Sequence, residues 1–357
     1  MKACSTTNRR VVVLTLGVVI LLAMAGIVLG DERPKHYLKN APEWFAGDEA
    51  KRIADNIVAC QSDLGGWPKN VDTTTVAGDE QKNAQPTFDN GATTDELRFL
   101  VRIYQATKDE GYRVAFQKGM DYILKAQYPT GGWPQHFPPG TKYNRHITFN
   151  DDAMVRLMLF LREIYSSADY AFVDGPRRAA AHEAFDRGIE CILKCQIKVD
   201  GKLTAWCAQH DELNFSPRPA RTYELVSLSG SESVEIVRLL MSLDTPSPEV
   251  ARAIDGAVAW FETVKLEGIR QIEVPDEKSS TGKNKVIVKD PLAPPKWARF
   301  YEIGTNRPMF SDRDGVVKYD LAEIGYERRN GYGWYNDKPL ELLTRDYPAW
   351  KKKITSP

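Results

Sequence analysis

The residues of this chain best suited to chemistry stand in two kinds of loop. The first kind is rich in carboxylates and carboxamides: Thr87-Phe88-Asp89-Asn90-Gly91 and Thr148-Phe149-Asn150-Asp151-Asp152. Thr-Phe-Asp/Asn occurs in both, so the two loops should occupy comparable places in the fold. Oxygen ligands on neighbouring loops suit Ca²⁺, and paired carboxylates suit general acid and base work. The same residue types also cap helices, and Asn150, Asp151, Thr94 and Asp95 are good N-cap residues. Capping by one residue leaves its neighbour in Asp151-Asp152 without a task. The second kind of loop is basic. Arg218 and Arg221 stand among Pro217, Pro219 and Tyr223; Arg299, Arg307 and Arg313 stand among Phe300, Tyr301, Pro308 and Gly315. A guanidinium held by rigid neighbours reads planar anions such as carboxylates in a bidentate way. The competing use is an ion pair with Glu224, Glu302 or Asp312.

These loops need a scaffold, and the sequence repeats. Gln61 precedes Gly65-Gly66-Trp67-Pro68, and Gln127 precedes Gly131-Gly132-Trp133-Pro134; a looser copy runs from Gln196 through Gly201 to Trp206. Each copy follows a stretch of helical apolar spacing, at 50–60, 113–126 and 178–195, and precedes a polar loop and a second such stretch near 93–107, 151–165 and 231–243. Helix–loop–helix units repeating every 66–70 residues cannot bury their apolar faces singly, so they must stack. The pattern predicts a mainly α protein, an α/α toroid of three helix-pair repeats with the loops gathered at one end. One further helix is expected at 250–264. A short β-hairpin, Ile269–Val274 with Lys285–Lys289, and an irregular carboxy-terminal region follow. Trp67 and Trp133 read either as sugar-stacking platforms or as plugs between helix pairs, the plug being the simpler use. His136, His146 and His210 have no metal-ligand spacing and read as orienting hydrogen bonders.

Composition narrows the function further. Lys plus Arg and Asp plus Glu both number 48, so no basic footprint for nucleic acid exists. Lys2, Arg9 and Arg10, followed by the uncharged run Val11 to Leu29 and the small-residue pattern around Ala23 and Ala25, read as a signal peptide or amino-terminal anchor over 1–30. The expected location is therefore secreted or periplasmic. Residues 31–48 read as a linker, and 49–350 as a single catalytic domain. The four cysteines beyond the leader, Cys60, Cys191, Cys195 and Cys207, are too few for a disulfide framework; one bridge or buried free thiols are both open.

Several stretches together resemble the family 10 polysaccharide lyases, pectate lyases with an α/α toroid. They are Gly65-Gly66-Trp67-Pro68-Lys69-Asn70, Thr87-Phe88-Asp89-Asn90-Gly91-Ala92-Thr93, Gly131-Gly132-Trp133-Pro134-Gln135, Ile147-Thr148-Phe149-Asn150-Asp151-Asp152-Ala153-Met154, Ala205-Trp206-Cys207-Ala208-Gln209-His210-Asp211, Ala220-Arg221-Thr222-Tyr223-Glu224 and Arg299-Phe300-Tyr301. The resemblance implies Ca²⁺-assisted β-elimination on polygalacturonate, acting as a monomer and giving 4,5-unsaturated oligogalacturonates. It implies an arginine base at Arg221, with Arg218 as the rival, and calcium ligands at Asp89 and Asp151, with Asn90 and Asp152 beside them. Arg299 and Arg313 become clamps for substrate carboxylates, and Lys69, Arg218 and Arg307 further substrate-binding candidates. Two other functions fit the residues: an inverting glycoside hydrolase using Asp89 and Asp151 as its carboxylate pair, and a uronate-binding protein without catalysis.

Overall fold

The apolar residues of each helical stretch fall on one side, and this decides which way each helix faces. In the first helix, α1 (Asp48–Ala59), the buried residues are Ala50, Ile53, Ala54 and Ile57. The computed structural model describes residues 34–76, 78 and 84–355. Six more helices follow in the body: α2 (Thr94–Thr107), α3 (Glu110–Ala126), α4 (Ala153–Ser166), α5 (Gly175–Cys195), α6 (Glu232–Met241) and α7 (Pro248–Thr263). They build two layers of an α/α toroid. α2, α4 and α6 lie side by side as the inner layer, while α1, α3, α5 and α7 neighbour one another as the outer layer. The inner helices are the more completely buried, as an element with neighbours on most sides must be: α4 buries Met154, Leu157, Met158, Phe160, Leu161 and Ile164.

The repeated phrase between the layers has a physical task at each residue. The indole N–H of Trp67 donates to the carbonyl of Ile57 at 2.6 Å, that of Trp133 to Ile123 at 2.9 Å, and that of Trp206 to Ile192 at 2.7 Å. All three rings are fully buried, so they plug the space behind each outer helix and are not sugar platforms. The preceding glutamine staples its own turn to the next outer helix. Gln61 donates to Ala115, Gln127 to Ala184 and Gln196 to Ala253, each at 2.8 Å. Gly65 and Gly131 have φ of +109° and +95°, and a Cβ there would stand 2.3 Å and 2.2 Å from the carbonyl oxygens of Lys118 and Arg187 on the following helix. Only glycine fits both constraints.

A fourth copy exists that the sequence pattern did not reveal. Trp297 is fully buried and donates its indole N–H to the carbonyl of Phe261 in α7, at 2.8 Å. It repeats the geometry of the other three tryptophans. Its distance in sequence from α7 is long because the hairpin Ile269–Pro275 with Lys283–Lys289 is inserted between them. After Trp297 come two-residue strands, the 3₁₀ turn Leu321–Glu323 and a short helix, Tyr326–Gly331, around a small second core of Phe300, Met309, Phe310, Leu321, Ile324 and Trp334, and then the helical segments Lys338–Glu341, Leu342–Asp346 and Tyr347–Thr355.

Three sequence expectations need correction or closure. The segment expected as a linker is docked in its described part. Pro34–Lys39 and Pro42–Ala46 are 3₁₀ helices, and Tyr37, Trp44 and Phe45 meet Phe99 of α2 edge-on. Aromatic area, not polar composition, decides its position. The four cysteines are all free and buried. The expected signal peptide or anchor over 1–30 lies outside the described residues.

Candidate active site

The polar loops at the amino ends of the inner helices are bound into a ladder. Thr87 N donates to Trp67 O, and Phe88 N to Gln135 O. Thr148 N donates to Trp133 O, and Phe149 N to Ala208 O. Ser229 N donates to Trp206 O, and Gly230 N to Arg299 O. Each loop thus bonds to the tryptophan of its own unit and to the residue two beyond the tryptophan of the next. The positions two beyond the tryptophans are Lys69, Gln135, Ala208 and Arg299, so Arg299 reaches the loop face by the same repeat rule as Lys69.

The two Thr-Phe-Asp/Asn turns are equivalent and pack against each other. Asp89 aligns with Asn150, and Asn90 with Asp151. Asn90 and Asp151 both take left-handed backbone, φ of 54° and 50°, and Asp152 follows at φ 61°. Thr93 takes φ 74°, an uncommon setting for a β-branched residue. Its hydroxyl compensates by accepting from Trp67 N at 3.0 Å and donating to Thr87 O at 2.9 Å. Helix capping does not account for these loops. α2 and α4 begin with no side-chain cap, whereas Asp109, Asp174 and Ser247 cap α3, α5 and α7. Backbone held in sparsely populated regions without a capping reason marks a place where side chains are being aimed.

On one side of the face stands Asp89, only 2 % exposed. Its Oδ2 ion-pairs with Lys69 and accepts from Gln135 Nε2 at 2.8 Å. Its Oδ1 has no hydrogen-bond partner among the described residues. On the other side stands Arg299, whose side chain is 14 % exposed. Its Nη2 lies 3.2 Å from both Asn150 Oδ1 and Asp151 Oδ1 and ion-pairs with buried Glu232. Burial opposes the Arg299 charge, but Glu232, Tyr332 and Asp151 outweigh it and hold the guanidinium firmly protonated. Arg299 Nε is a buried donor without an acceptor among the described residues. An orphaned acceptor and an orphaned donor in one loop face call for a cation and an anion respectively.

Tyr332 continues the array. Its ring lies 4.8 Å beneath the Arg299 guanidinium and 5.9 Å from that of Arg221, and its hydroxyl donates to Glu224 at 2.7 Å. Glu224 accepts from Arg221 Nε at 2.7 Å. These hydrogen bonds to Glu224 raise the affinity of Arg221 for its proton, although its side chain is 44 % exposed. Tyr223 then carries Arg221, Arg328 and Arg313 within 5.0, 4.6 and 5.8 Å of its ring, and Arg313 and Arg328 share Glu327. A strip of four arginines, mounted on two tyrosines, leads away from the acidic turns.

The chain matches the family model for pectic acid lyases over residues 61–343. It belongs to the pectic acid lyase family. The lyase is similar over 90 % of its chain to the structure of a mutant family 10 polysaccharide lyase from Cellvibrio cellulosa in complex with trigalacturonic acid. That match covers 97 % of the other chain, with 34 % identity and a TM-score of 0.75. A second structure of the Cellvibrio cellulosa enzyme matches over 91 % of this chain and 98 % of its own, at the same identity and TM-score. No curated protein sequence gives a significant match. The lyase is thus a polysaccharide lyase on an α/α toroid.

Not every residue singled out from the sequence of the lyase joins the array. Asp152 turns toward Lys338, Glu232, Glu235 and Arg156, and burial pushes its carboxyl up to about 6. Arg307 stacks 3.5 Å over Tyr319, whose hydroxyl donates to Glu302. Arg218 donates to Asp211 Oδ2 at 2.7 Å. There it adjoins His146, Asp211 and Glu212, whose ligand atoms come within 4.8 Å of one another, the grouping among the described residues that could hold a metal ion. Arg145 and Arg218 already neutralise its carboxylates, and an imidazole is a poor partner for a hard cation. Asp89, with an unfilled oxygen, fits Ca²⁺ better. Conversely, sequence reading passed over Glu232, Tyr332, Gln135 and Arg328, and named Glu224 only as a competing ion-pair partner for the arginines. The repeat rule would have found Gln135, since it stands two beyond Trp133 as Lys69 does beyond Trp67.

Proposed function

We propose that this lyase cleaves α-1,4-polygalacturonate by Ca²⁺-assisted β-elimination, with Arg221 as the base, releasing 4,5-unsaturated oligogalacturonates. The observation that carries the reading is the pairing of an unfilled carboxylate oxygen at Asp89 with an unfilled guanidinium donor at Arg299. The two lie at opposite flanks of one loop face, beside a strip of arginines. A polyuronide offers a carboxylate on every sugar, and a planar guanidinium is its natural partner. Ca²⁺, when bound, would neutralise the substrate carboxylate and so acidify the neighbouring C5 proton. Asp89 and Asp151 would hold it, with Asn90 as the adjoining oxygen.

The remaining steps belong to side chains of this chain. Arg299 pairs with the carboxylate of the reacting sugar and stabilises the charge that builds on it. Arg221, in its neutral form, takes the proton from C5. The electron pair left behind forms the C4–C5 double bond, and the C4–O4 bond breaks toward the departing oxygen, which is then protonated. Arg328 and Arg313 pair with carboxylates further along the chain. Glu224 favours the protonated form of Arg221, so the rate should climb with pH as far as the fold survives. A base whose pKa lies above the working range gains active fraction with every unit.

The test is to incubate the lyase with polygalacturonate in the presence of Ca²⁺ or a chelator and to follow ultraviolet absorbance of the conjugated product. Absorbance that grows with Ca²⁺ and stops with chelator is the expected result. New reducing ends without absorbance would make the enzyme a hydrolase, with Asp89 and Asp151 as acid and base. Binding with neither signal would make it a uronate-binding protein.

A further inference from the structure

Lys69 stands between two acidic positions. In front of it lies Asp89, whose Oδ2 takes the ammonium in an ion pair. Behind it lies a small cavity lined by Lys69 and Asn70 from one strand of the chain, Gly91 from the Asp89 turn, and Asp95 and Glu96 from the start of α2. The cavity has a volume of about 10 Å³, which is room for roughly one small polar group. Glu96 is 4 % exposed. Its Oε1 accepts from Thr73 at 3.0 Å, and its Oε2 has no hydrogen-bond partner among the described residues. Asp95 closes the same cavity, its Oδ2 lying 2.5 Å from where a Cβ on Gly91 would stand. A buried carboxylate oxygen with no donor costs free energy, and Lys69 lines the same cavity as Glu96.

The lysine chain suits such a place. It carries a compact point charge on four flexible carbons, unlike the planar fork of arginine. A divalent ion at the unfilled Oδ1 of Asp89 would stand across one carboxylate from the ammonium on Oδ2, and the two cations repel at that range. The ammonium pushed off Oδ2 has Asp95 and Glu96 beside it, because they line the same cavity as Lys69.

We propose that Lys69 is an exchangeable internal counter-ion: it neutralises Asp89 while the cation site is empty, and moves to the Asp95–Glu96 cavity when a divalent cation binds. This rests on the reading of Asp89 as a Ca²⁺ ligand. It gives Lys69 a task distinct from holding substrate. The ion pair with Asp89 lowers the affinity for Ca²⁺, and the rear cavity recovers part of that loss by receiving the ammonium.

Calorimetric titration of Ca²⁺ alone into the full chain, without polysaccharide, tests the exchange. The proteins compared are the wild type and its Lys69→Met, Glu96→Gln and Asp89→Asn variants. Lys69→Met should bind Ca²⁺ about tenfold more tightly than the wild type or better, since one lost competitor of about 1.4 kcal/mol corresponds to that factor. Glu96→Gln should bind it several-fold more weakly, because the displaced ammonium loses its seat. Asp89→Asn should abolish binding. Equal or weaker binding in Lys69→Met, with Asp89→Asn silent, would overturn the exchange and leave the Ca²⁺ site standing. Undiminished binding in Asp89→Asn, or none in any of the four proteins, would overturn the site itself and the exchange with it. Circular dichroism of each variant without Ca²⁺ separates a folding defect from a binding one, and acetylation of Lys69 followed by mass spectrometry gives a second readout. Lys69 reactivity should change on adding Ca²⁺ to the wild type and stay constant in Asp89→Asn; no change in the wild type would contradict the exchange.

Discussion

The first three units of the toroid and its last quarter solve the same packing problem with very different chain. In the first three, a glutamine, a turn and a tryptophan recur at nearly constant spacing, and the loops that follow in the first two supply oxygen donors: Asp89, Asn150 and Asp151. In the last quarter the tryptophan is Trp297, delivered after an inserted hairpin, and the residues that follow supply bases: Arg299, Arg313 and Arg328. On the proposed reading, the loops of the first two units give the cation side of the face, and the last quarter, with Arg221 from the loop of the third unit, gives the anion-binding side. A substrate that is itself an anion needs both. The irregular quarter can mount its arginines on tyrosines because it is free of the helical period that spaces side chains along the inner helices.

If this division is right, substitutions in the two regions should part in activity but agree in stability. The largest effect should come from the loop of the third unit, which supplies Arg221. Arg221→Ala should lose about a thousandfold or more in kcat, the usual range for removing a positioned base, with the fold unchanged. A variant with near wild-type turnover would remove Arg221 as the base.

Trp297→Ala and Trp133→Ala test the other half. Each removes a buried ring and leaves a cavity, so each should cost about 3–5 kcal/mol in denaturant unfolding. Equal losses would confirm that Trp297 closes a fourth unit. A loss near zero for Trp297→Ala alone would remove it from the scaffold.

His210 provides a pH test. Its ring is buried between the backbone N–H of Cys207 and the carbonyl of Phe215, and burial pushes its pKa down from 6.5 to about 4. The unfolded chain therefore takes up a proton that the folded chain refuses between those values. Stability should fall as pH drops from about 6.5 to about 4, by on the order of 2–3 kcal/mol from this group. His210→Gln should flatten that part of the melting profile; an unchanged slope would assign it to other groups.

The smallest expected effect is at the staples. Gln127→Ala frees the carbonyls of Gly131 and Ala184 and should cost about 1–2 kcal/mol with kcat intact. Gln196→Ala should match it, since Gln196 serves Thr204 and Ala253 in the same way.

How much of this was legible in the sequence follows from the same division. The repeats announced themselves because identical packing tasks select identical residues, so Gly65 and Gly131, or Trp67 and Trp133, could be read as a pair. The acids of the loops were legible for the same reason, as members of a recurring Thr-Phe-Asp/Asn phrase. Trp297 was not, since the hairpin breaks its spacing and no glycine pair precedes it. Glu232 and Tyr332 were not either. Their importance lies in contacts across 67 and 108 residues, whereas Glu224, three residues from Arg221, could be read as its ion-pair partner. The docked segment 34–46 read as a linker because its polar residues outnumber the three aromatics that anchor it to Phe99.

The central claim is that acids from the repeats and arginines from the last quarter hold one substrate together. A crystal structure of the Arg221→Ala variant with Ca²⁺ and trigalacturonate would test it most directly. The account predicts Ca²⁺ at Asp89 and Asp151, one sugar carboxylate between that ion and Arg299, and the next carboxylates along Arg328 and Arg313. Trigalacturonate bound away from Arg299, or Ca²⁺ seated at His146, Asp211 and Glu212, would contradict it.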